Sequence, residues 1–382
     1  MLPTTFLALS GERLKVTYRL TGDETQARDK ARDICIEQTV EFPEDLLPDG
    51  DIREQIVGRI ESLERVSDKS YEAVISYAVE TTGFDFVQLL NVMFGNSSIK
   101  PGIRVERLEL PESLLRAFKG PRFGQAGLRA LVRVADRPLL CTALKPMGLP
   151  PSELAKMAYQ VAVGGIDLIK DDHGMADQSF ASFAERVSRC AEAVQRANQE
   201  TGQNCLYLPN VPGPVDQVVE RGLFAKEAGA GGLLVSPGLL GLDTMRLLAA
   251  NDAIGLPIMA HPAFQGSFVT SPDMGVSHYV LCGQIPRLAG ADVTIFPNFG
   301  GRFSFSREDC TLLARGCVTP MGHIRPIFPA PAGGMTLERV PEMLEVYGRD
   351  VIFLIGGGLH QRGPHLTENS RYFRQLVESL AR

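Results

Sequence analysis

The segment Lys170–His173 carries side chains that could hold a metal ion and move a proton. It places an amine, two carboxylates and an imidazole within four consecutive residues, in the order Lys-Asp-Asp-His. Carboxylate oxygen and imidazole nitrogen are ligands for hard or borderline divalent ions. The segment therefore predicts a metal site, with the simpler alternative that Asp172 only caps the helix that follows.

Lys145 is a second lysine at the end of an apolar run, LLCTAL. If Lys145 and Lys170 face each other, their repulsion lowers the pKa of one ammonium group and makes it usable as a base near neutrality. A lysine in such a place can equally be a solvated residue at a strand end. Spacing alone does not separate these two interpretations.

Both lysines belong to a larger set of polar and glycine residues that follow short apolar runs. In chain order the set is Lys145, Lys170–His173, Asn210, Ser236, His261, Asn298, Arg302, Gly333–Gly334 and Gly356–Gly358. In a barrel of parallel strands the carboxyl ends meet at one mouth, which is where catalytic groups lie. We therefore expect these residues to form one crowded polar site.

Glycine clusters follow the last two runs, at Gly333-Gly334 and at Gly356-Gly357. Barrels commonly bind phosphate in these two loops through backbone N–H groups. Glycine is also a routine turn residue, so the prediction depends on two clusters falling in the two adjacent loops. It indicates a phosphorylated ligand.

A repeated unit, an apolar run followed by a helical pattern, would position these residues. The eight runs are LLCTAL, IDLI, CLYL, GLLV, PIMA, DVTIF, RPIF and VIFLI, and amphipathic segments such as PSELAKMAYQVAVGG separate them. The stretch from the first run to the end of the chain is close to the ~250 residues typical of a (β/α)₈ barrel. The fold class is therefore α/β, and a doubly wound sheet is the alternative.

The first part of the chain has a different pattern. Apolar alternation in RLKVTYRL, RIESLERV and YEAVISYAV is interrupted by helical patterns in DETQARDKARDICIEQ and around FDFVQLLNVMFG. The resulting order, β-α-β-β-α-β, is that of a ferredoxin-like α+β domain. We predict this N-terminal domain over residues 1–130 and the catalytic barrel domain over residues 131–382.

Composition excludes several classes of protein. The net charge is −6 over 382 residues with no basic block, so neither nucleic acid nor an anionic membrane is expected as a partner. We find no signal-peptide pattern and no apolar stretch of ~18 residues. The seven cysteines are scattered without a CxxC pair, which favours a reducing compartment. We therefore expect a soluble cytoplasmic protein.

Several motifs resemble the large subunit of RuBisCO in order and spacing. They are IEQTV (36–40), LLNVMFGN (89–96), TALKPMG (142–148), GGIDLIKDDHG (164–174), QETG (199–202), AHPAF (260–264), AGG (332–334) and IGGG (355–358). The resemblance covers essentially the whole chain. It implies a ferredoxin-like domain, a (β/α)₈ barrel, and a homodimer whose active sites are shared between the two chains.

The resemblance also implies roles for individual residues. Lys145 matches the proton-moving lysine of the family, and Lys170 matches the lysine that takes up CO₂ as a carbamate and binds Mg²⁺. Asp172 matches a metal ligand and His261 the histidine after the fifth strand. The remaining matches are the phosphate cradle, Gly333, Gly334, Gly356 and Gly357, and two residues that a partner chain would supply, Glu37 and Asn91.

This sequence departs from the family at positions needed for carboxylation. His173 stands in place of a metal-binding glutamate, and Met147 in place of the lysine that handles CO₂. Arg302 replaces the lysine of the flexible loop and keeps a cation there for substrate binding. Further departures are Phe42 and Pro43 near the first phosphate, Pro262 and Ile295 near the second, and Ala332 in place of a substrate-binding serine.

These departures indicate a RuBisCO-like protein that does not fix CO₂ and acts on a monophosphorylated keto sugar acid. We favour decarboxylation or hydrolytic C–C cleavage, of the 3-oxo-isoapionate 4-phosphate type, because it produces an enediolate that a divalent ion such as Mg²⁺ stabilises without any group to hold CO₂. The alternative is an enolase or isomerase of a methylthio-sugar phosphate, of the 5-methylthioribulose 1-phosphate type. A catalytically silent regulatory or scaffold protein is the second alternative.

Overall fold

A computed structural model describes residues 6–303 and 305–381. Its strands are β1 (Arg13–Thr21), β2 (Arg59–Ser67), β3 (Ser70–Ala78), β4 (Ile103–Glu109), β5 (Leu139–Leu144), β6 (Leu168–Asp171), β7 (Leu206–Leu208), β8 (Leu233–Val235), β9 (Ile258–Ala260), β10 (Gly275–Val276), β11 (Val293–Pro297), β12 (Phe328–Ala332) and β13 (Ile352–Leu354). Its α-helices are α1 (Glu24–Glu37), α2 (Phe86–Phe94), α3 (Glu112–Leu115), α4 (Gly124–Val132), α5 (Pro151–Val163), α6 (Phe183–Thr201), α7 (Val218–Glu227), α8 (Pro237–Leu240), α9 (Leu242–Ala250), α10 (Gly266–Val269), α11 (Ile285–Leu288), α12 (Arg307–Val318), α13 (Val340–Tyr347), α14 (Gly357–Gln361) and α15 (Leu366–Leu380). Among the helices of the described residues, none has the length and apolarity needed to cross a bilayer.

The first compact unit contains the described residues up to Phe118, together with Gln265–Ile285 and Pro320–Ile324. Its sheet has the order β10-β4-β1-β3-β2, antiparallel except for the short pairing of β10 with β4. Helix α1 begins at a capping box in which Asp23 and Gln26 bond each other's backbone. The predicted order β-α-β-β-α-β is confirmed.

The second compact unit is the predicted barrel, which the structure confirms. Its strands form two parallel four-stranded sheets, β13-β5-β6-β7 and β12-β11-β9-β8. A bridge between Asn210 and Leu234 joins β7 to β8, and β12 lies beside β13. The strands therefore follow one another around the ring in chain order, and their carboxyl ends meet at one mouth.

The seventh barrel strand lies later in the sequence than predicted. We expected it in RPIF, at residues 325–328, whereas β12 begins at Phe328 and continues through Pro329 and Pro331. Proline lacks the N–H that a strand donates, so it argues against a strand in sequence analysis. Here β12 still pairs with β11 in parallel register along its whole length, with Ala330, between the two prolines, opposite Ile295.

Alternate residues of the strands fill the inside of the barrel. Buried members of this core include Leu139, Cys141, Leu168, Leu208, Leu234, Met259, Val293, Ile295, Phe328, Ala330, Ile352 and Leu354. All seven cysteines are buried, consistent with their packing as small apolar side chains.

Asp292 ties several elements together at the start of β11. Its Oδ1 accepts the backbone N–H groups of Phe123 and Gly124, at 2.8 and 2.7 Å, and its Oδ2 accepts the N–H of Ile258 at 3.0 Å. Burial raises the pKa of this carboxyl group to about 6, against the opposing effect of the three hydrogen bonds. One side chain thus joins the start of α4 to the start of β9.

We expect Asp292→Asn to lower the free energy of unfolding by about 1–3 kcal/mol at pH 8. The asparagine side chain has only one acceptor oxygen, and its NH₂ group would face a backbone N–H that the carboxylate now accepts. Urea denaturation measures the effect. The matched control is Asp252→Asn, since Asp252 is an exposed surface carboxylate paired with Arg122, and its loss should leave the free energy of unfolding almost unchanged. Equal losses in both variants would contradict the anchoring role.

Candidate active site

Lys170 lies at the carboxyl end of β6 with only 3% of its surface exposed. Its Nζ donates a hydrogen bond to the backbone oxygen of Asp171 at 3.0 Å. Burial lowers the pKa of Lys170, and the charge of Lys145 lowers it further. A neutral amine is the form that can add CO₂ or accept a proton, and burial of Lys170 favours that form.

Asp172 connects the two lysine-bearing strand ends. Its Oδ2 lies 2.7 Å from Lys145 Nζ, and its Oδ1 lies 2.8 Å from His173 Nδ1. Burial by itself would raise the pKa of Asp172, but the hydrogen bonds from His173 and Lys145 hold it well below its usual value. Asp172 is therefore an anion between a cation and an imidazole, and it does not cap the next helix, which begins at Phe183 with Ser182 as its N-cap.

His173 stacks on His261, which follows β9 on the other side of the barrel mouth. The ring centroids are 4.2 Å apart and the rings are inclined by 12°. His261 Nδ1 accepts the backbone N–H of Ala263 at 3.2 Å, so its proton in the neutral form is on Nε2. Burial, and then the charge of Lys170, lowers the pKa of His261 to about 2. His261 is thus a neutral imidazole with a fixed N–H donor.

A buried network that sequence analysis missed lies behind this site. Asp171 Oδ1 accepts from Tyr207 at 2.7 Å, and its Oδ2 accepts from Arg186 Nε at 3.0 Å and from the backbone N–H of Asn210 at 3.1 Å. Arg186 lies within α6 and Tyr207 within β7, away from the strand ends used as the sequence signal. No sequence motif around Arg186 or Tyr207 indicates that either residue belongs to the site.

The two glycine loops and the segment after β11 lie together. The backbone N–H of Arg302 donates to the Gly333 carbonyl at 3.0 Å. Gly333 and Gly334 both have positive φ, and a Cβ on Gly334 would lie 2.9 Å from Arg302 Cγ. Glycine is required here by backbone conformation and by this close approach.

The loop after β13 approaches both the other glycine loop and Lys145. A Cβ on Gly358 would lie 2.6 Å from the Met335 carbonyl, and a Cβ on Gly356 would lie 4.0 Å from Lys145 Cε. Helix α14 begins at Gly357, where backbone N–H groups of a first turn have no acceptor inside the helix. Lys145 is therefore flanked by Asp172 on one side and by the predicted phosphate loop on the other.

Two departures from the family pattern have visible positions. Met147 is half exposed and lies against the loop after β6, since a Cβ on Gly174 would be 2.6 Å from Met147 Cε. Ile295 is buried in the barrel core. Apolar side chains thus occupy both positions.

Glu37 and Asn91 belong to the first compact unit. Glu37 accepts hydrogen bonds from Lys100 at 2.8 Å and from Asn96 at 3.0 Å, and the Asn91 carbonyl accepts from Gln38 at 2.7 Å. The two residues therefore lie at one corner, where the ends of α1 and α2 meet. Their role in the active site of a partner chain stays a prediction.

The residues predicted to bind a metal offer oxygen and nitrogen donors. Within the described residues, no three His, Cys, Asp or Glu side chains form a metal-binding group. Asp172 would contribute a carboxylate oxygen and His173, whose Nδ1 bonds Asp172, would contribute Nε2, while a carbamate on Lys170 would add the third donor. This combination fits a divalent ion only when the lysine carries CO₂.

Comparisons with known proteins agree with this architecture. The family model for the ribulose bisphosphate carboxylase large chain, catalytic domain, matches residues 125–301. The chain is 40% identical over 371 residues to 5-methylthioribulose-1-phosphate isomerase of Rhodospirillum rubrum, covering 97% of each protein. It is 32% identical over 371 residues to 2,3-diketo-5-methylthiopentyl-1-phosphate enolase of Bacillus velezensis, covering 95% of this chain and 91% of that protein.

Among solved structures, a Rubisco-like protein from Rhodopseudomonas palustris superposes with a TM-score of 0.88 at 39% identity, covering 97% of this chain and 99% of that one. A mixed α+β domain followed by a (β/α)₈ barrel is the fold of the RuBisCO large chain. The chain belongs to the RuBisCO large-chain family, and within it to the RuBisCO-like branch. The resemblance inferred from the motifs is confirmed.

We expect His261 to stay neutral, with its proton on Nε2, throughout the range from about pH 5 to pH 8 in which histidines ordinarily titrate. Long-range ¹H–¹⁵N correlation spectra recorded over this range report both the tautomer and the charge. The His261→Asn variant identifies the signal by its disappearance. A titration midpoint near ~6.5, the unperturbed value, would contradict the buried geometry.

Proposed function

We propose that this protein is a RuBisCO-like isomerase that moves a proton between two carbons of a monophosphorylated keto sugar, of the 5-methylthioribulose 1-phosphate type. The observation that carries the proposal is the continuous contact of Lys145, Asp172 and His173 with the His261 ring at the strand ends. These are groups that hold and transfer protons, and the isomerase from Rhodospirillum rubrum is similar over nearly its whole length.

This proposal replaces our first preference, decarboxylation or hydrolytic cleavage, with its alternative. Both reactions pass through an enediolate and would use the same retained residues, so sequence analysis separated them poorly. The relatives with named activities, an isomerase and an enolase, favour proton transfer at carbon. Proton transfer also needs no group to hold CO₂, which agrees with an apolar Met147.

A divalent ion, Mg²⁺ in our proposal, would be held by Asp172, His173 and a carbamate on Lys170. When bound, it would polarise the substrate carbonyl and acidify the neighbouring C–H bond. The low pKa of Asp172 supports this assignment, because the carboxylate is an anion at any working pH.

The side chains themselves carry out the proton transfer. A base removes a proton from the carbon next to the carbonyl, an enediol forms, and a proton returns to the adjacent carbon. Lys145 would exchange this proton, since its Nζ lies 2.7 Å from Asp172 Oδ2 at the strand ends. His261 would donate its Nε2 hydrogen to a substrate oxygen as a neutral imidazole.

One phosphate of the substrate would bind at the two glycine loops. Gly333, Gly334, Gly356 and Gly357 can bring backbone N–H groups close to it, since no side chain intervenes. Arg302 is anchored by its own backbone to Gly333 and supplies a cation there. A second phosphate would lie near Pro262, which has no charged donor to bind it. A substrate with one phosphate is therefore favoured over a bisphosphate.

With 5-methylthioribulose 1-phosphate in D₂O, we expect deuterium uptake at carbon and an isomeric product without release of CO₂. Lys145→Ala should reduce the rate by about 10²–10⁴-fold, the usual contribution of a general acid–base group. Mass spectrometry and NMR of the product measure both quantities. Lys156→Ala is the matched control, because Lys156 is an exposed lysine of α5 whose loss should leave the rate unchanged.

Failure to exchange deuterium, together with CO₂ release from a branched 3-oxo sugar-acid phosphate, would restore decarboxylation as the function.

Replacing His173 by glutamate tests the metal assignment. Imidazole is neutral and softer than carboxylate, so His173→Glu should strengthen Mg²⁺ binding relative to Mn²⁺ or Zn²⁺. Calorimetric titration, with and without bicarbonate, measures the preference and the need for CO₂. An unchanged Mg²⁺ affinity would contradict ligation by His173, and independence from bicarbonate would contradict the carbamate.

A further inference from the structure

Asn210 holds the turn that carries the proposed metal ligands. It follows β7 and is buried, with 2% of its surface exposed. Its side-chain Nδ2 donates to two backbone oxygens of this turn, those of His173 at 2.9 Å and Met175 at 2.8 Å. One amide therefore ties together two carbonyls that lie two residues apart, directly after Asp172.

The same asparagine is itself fixed by the strand that bears the lysine. Its backbone N–H donates to Asp171 Oδ2 at 3.1 Å, and that oxygen also accepts from Arg186 Nε at 3.0 Å. Arg186 in turn donates to the Ala176 carbonyl at 2.7 Å, just beyond the turn. The turn is thus held at three carbonyls, those of His173, Met175 and Ala176, by the buried side chains of Asn210 and Arg186.

We propose that Asn210 is a positioning residue that sets the metal affinity of the site by fixing the turn of Asp172 and His173. The inference rests on the proposed function, because it takes these two residues to be metal ligands. Groups that orient ligands from outside typically change metal affinity 10- to 100-fold when mutated. Asn210 would change the metal affinity without contacting the metal or the substrate.

Asn369 offers a matched control in the same unit. It is buried to a similar degree, with 4% exposed, and its Nδ2 also donates to two backbone oxygens, those of Leu359 at 3.0 Å and Gly363 at 2.9 Å. These carbonyls belong to α14 and the segment after it. Loss of this amide removes the same number of hydrogen bonds without touching the turn after β6.

The experiment compares Mn²⁺ affinity in the full-length wild type with that in Asn210→Asp and Asn369→Asp. The readout is the electron paramagnetic resonance signal of free Mn²⁺ in bicarbonate buffer. Both substitutions keep the side-chain shape and exchange amide donors for an acceptor, and Asn210→Ala and Asn369→Ala repeat the test without an added charge. Thermal melting of each variant shows how much stability is lost.

We expect the Asn210 variants to bind Mn²⁺ about 10- to 100-fold more weakly, while the Asn369 variants stay within about twofold of wild type despite a similar loss of melting temperature. Equal weakening in both sets, or wild-type affinity in the Asn210 variants, would overturn the positioning role. A wild type that binds no Mn²⁺ in bicarbonate would instead show that the metal site of the proposed function is wrong, and the role of Asn210 would fall with it.

Discussion

The ion pair between Arg186 and Asp171 is fully buried, and the mouth of the barrel is arranged around it. A carboxylate removed from water must be paired and hydrogen-bonded, because an unpaired charge inside a protein costs several kcal/mol. The partners of Asp171 come from three places along the chain: α6, β7 and the residue that follows Pro209. Satisfying one charge therefore fixes the ends of two neighbouring strands and the helix that packs outside them.

The ion pair agrees with the alternation of side chains along β6. Side chains of a strand alternate between two faces, so Leu168 and Lys170 share one face and Asp171 takes the other. Leu168 belongs to the barrel core, which places Lys170 at the top of that core, and Asp171 outside it toward α6. The burial that lowers the pKa of Lys170 thus follows from the same alternation that sends Asp171 to its arginine.

Strand periodicity was sufficient to predict the barrel and the residues at its mouth, because each reactive side chain directly follows an apolar run. It was insufficient for Arg186, since charged residues on helices are usually exposed and nothing local distinguishes this one. The stack of His173 on His261 depends on side-chain directions at two distant strand ends. The choice of reaction was also beyond sequence reasoning, because decarboxylation and isomerisation require the same groups.

The departures from the family pattern agree with the proposed function, which is proton transfer without capture of CO₂. A glutamate at position 173 would place a second carboxylate beside Asp172, and a cation would be needed to balance both. His173 instead donates to Asp172 and packs on a neutral ring, so the single negative charge of Asp172 is paired with Lys145. Met147 occupies the adjoining position with an apolar side chain. A carboxylate formed from CO₂ would meet the apolar Met147 and not a cation. The proposed proton transfer needs only Lys145, Asp172 and the two histidines.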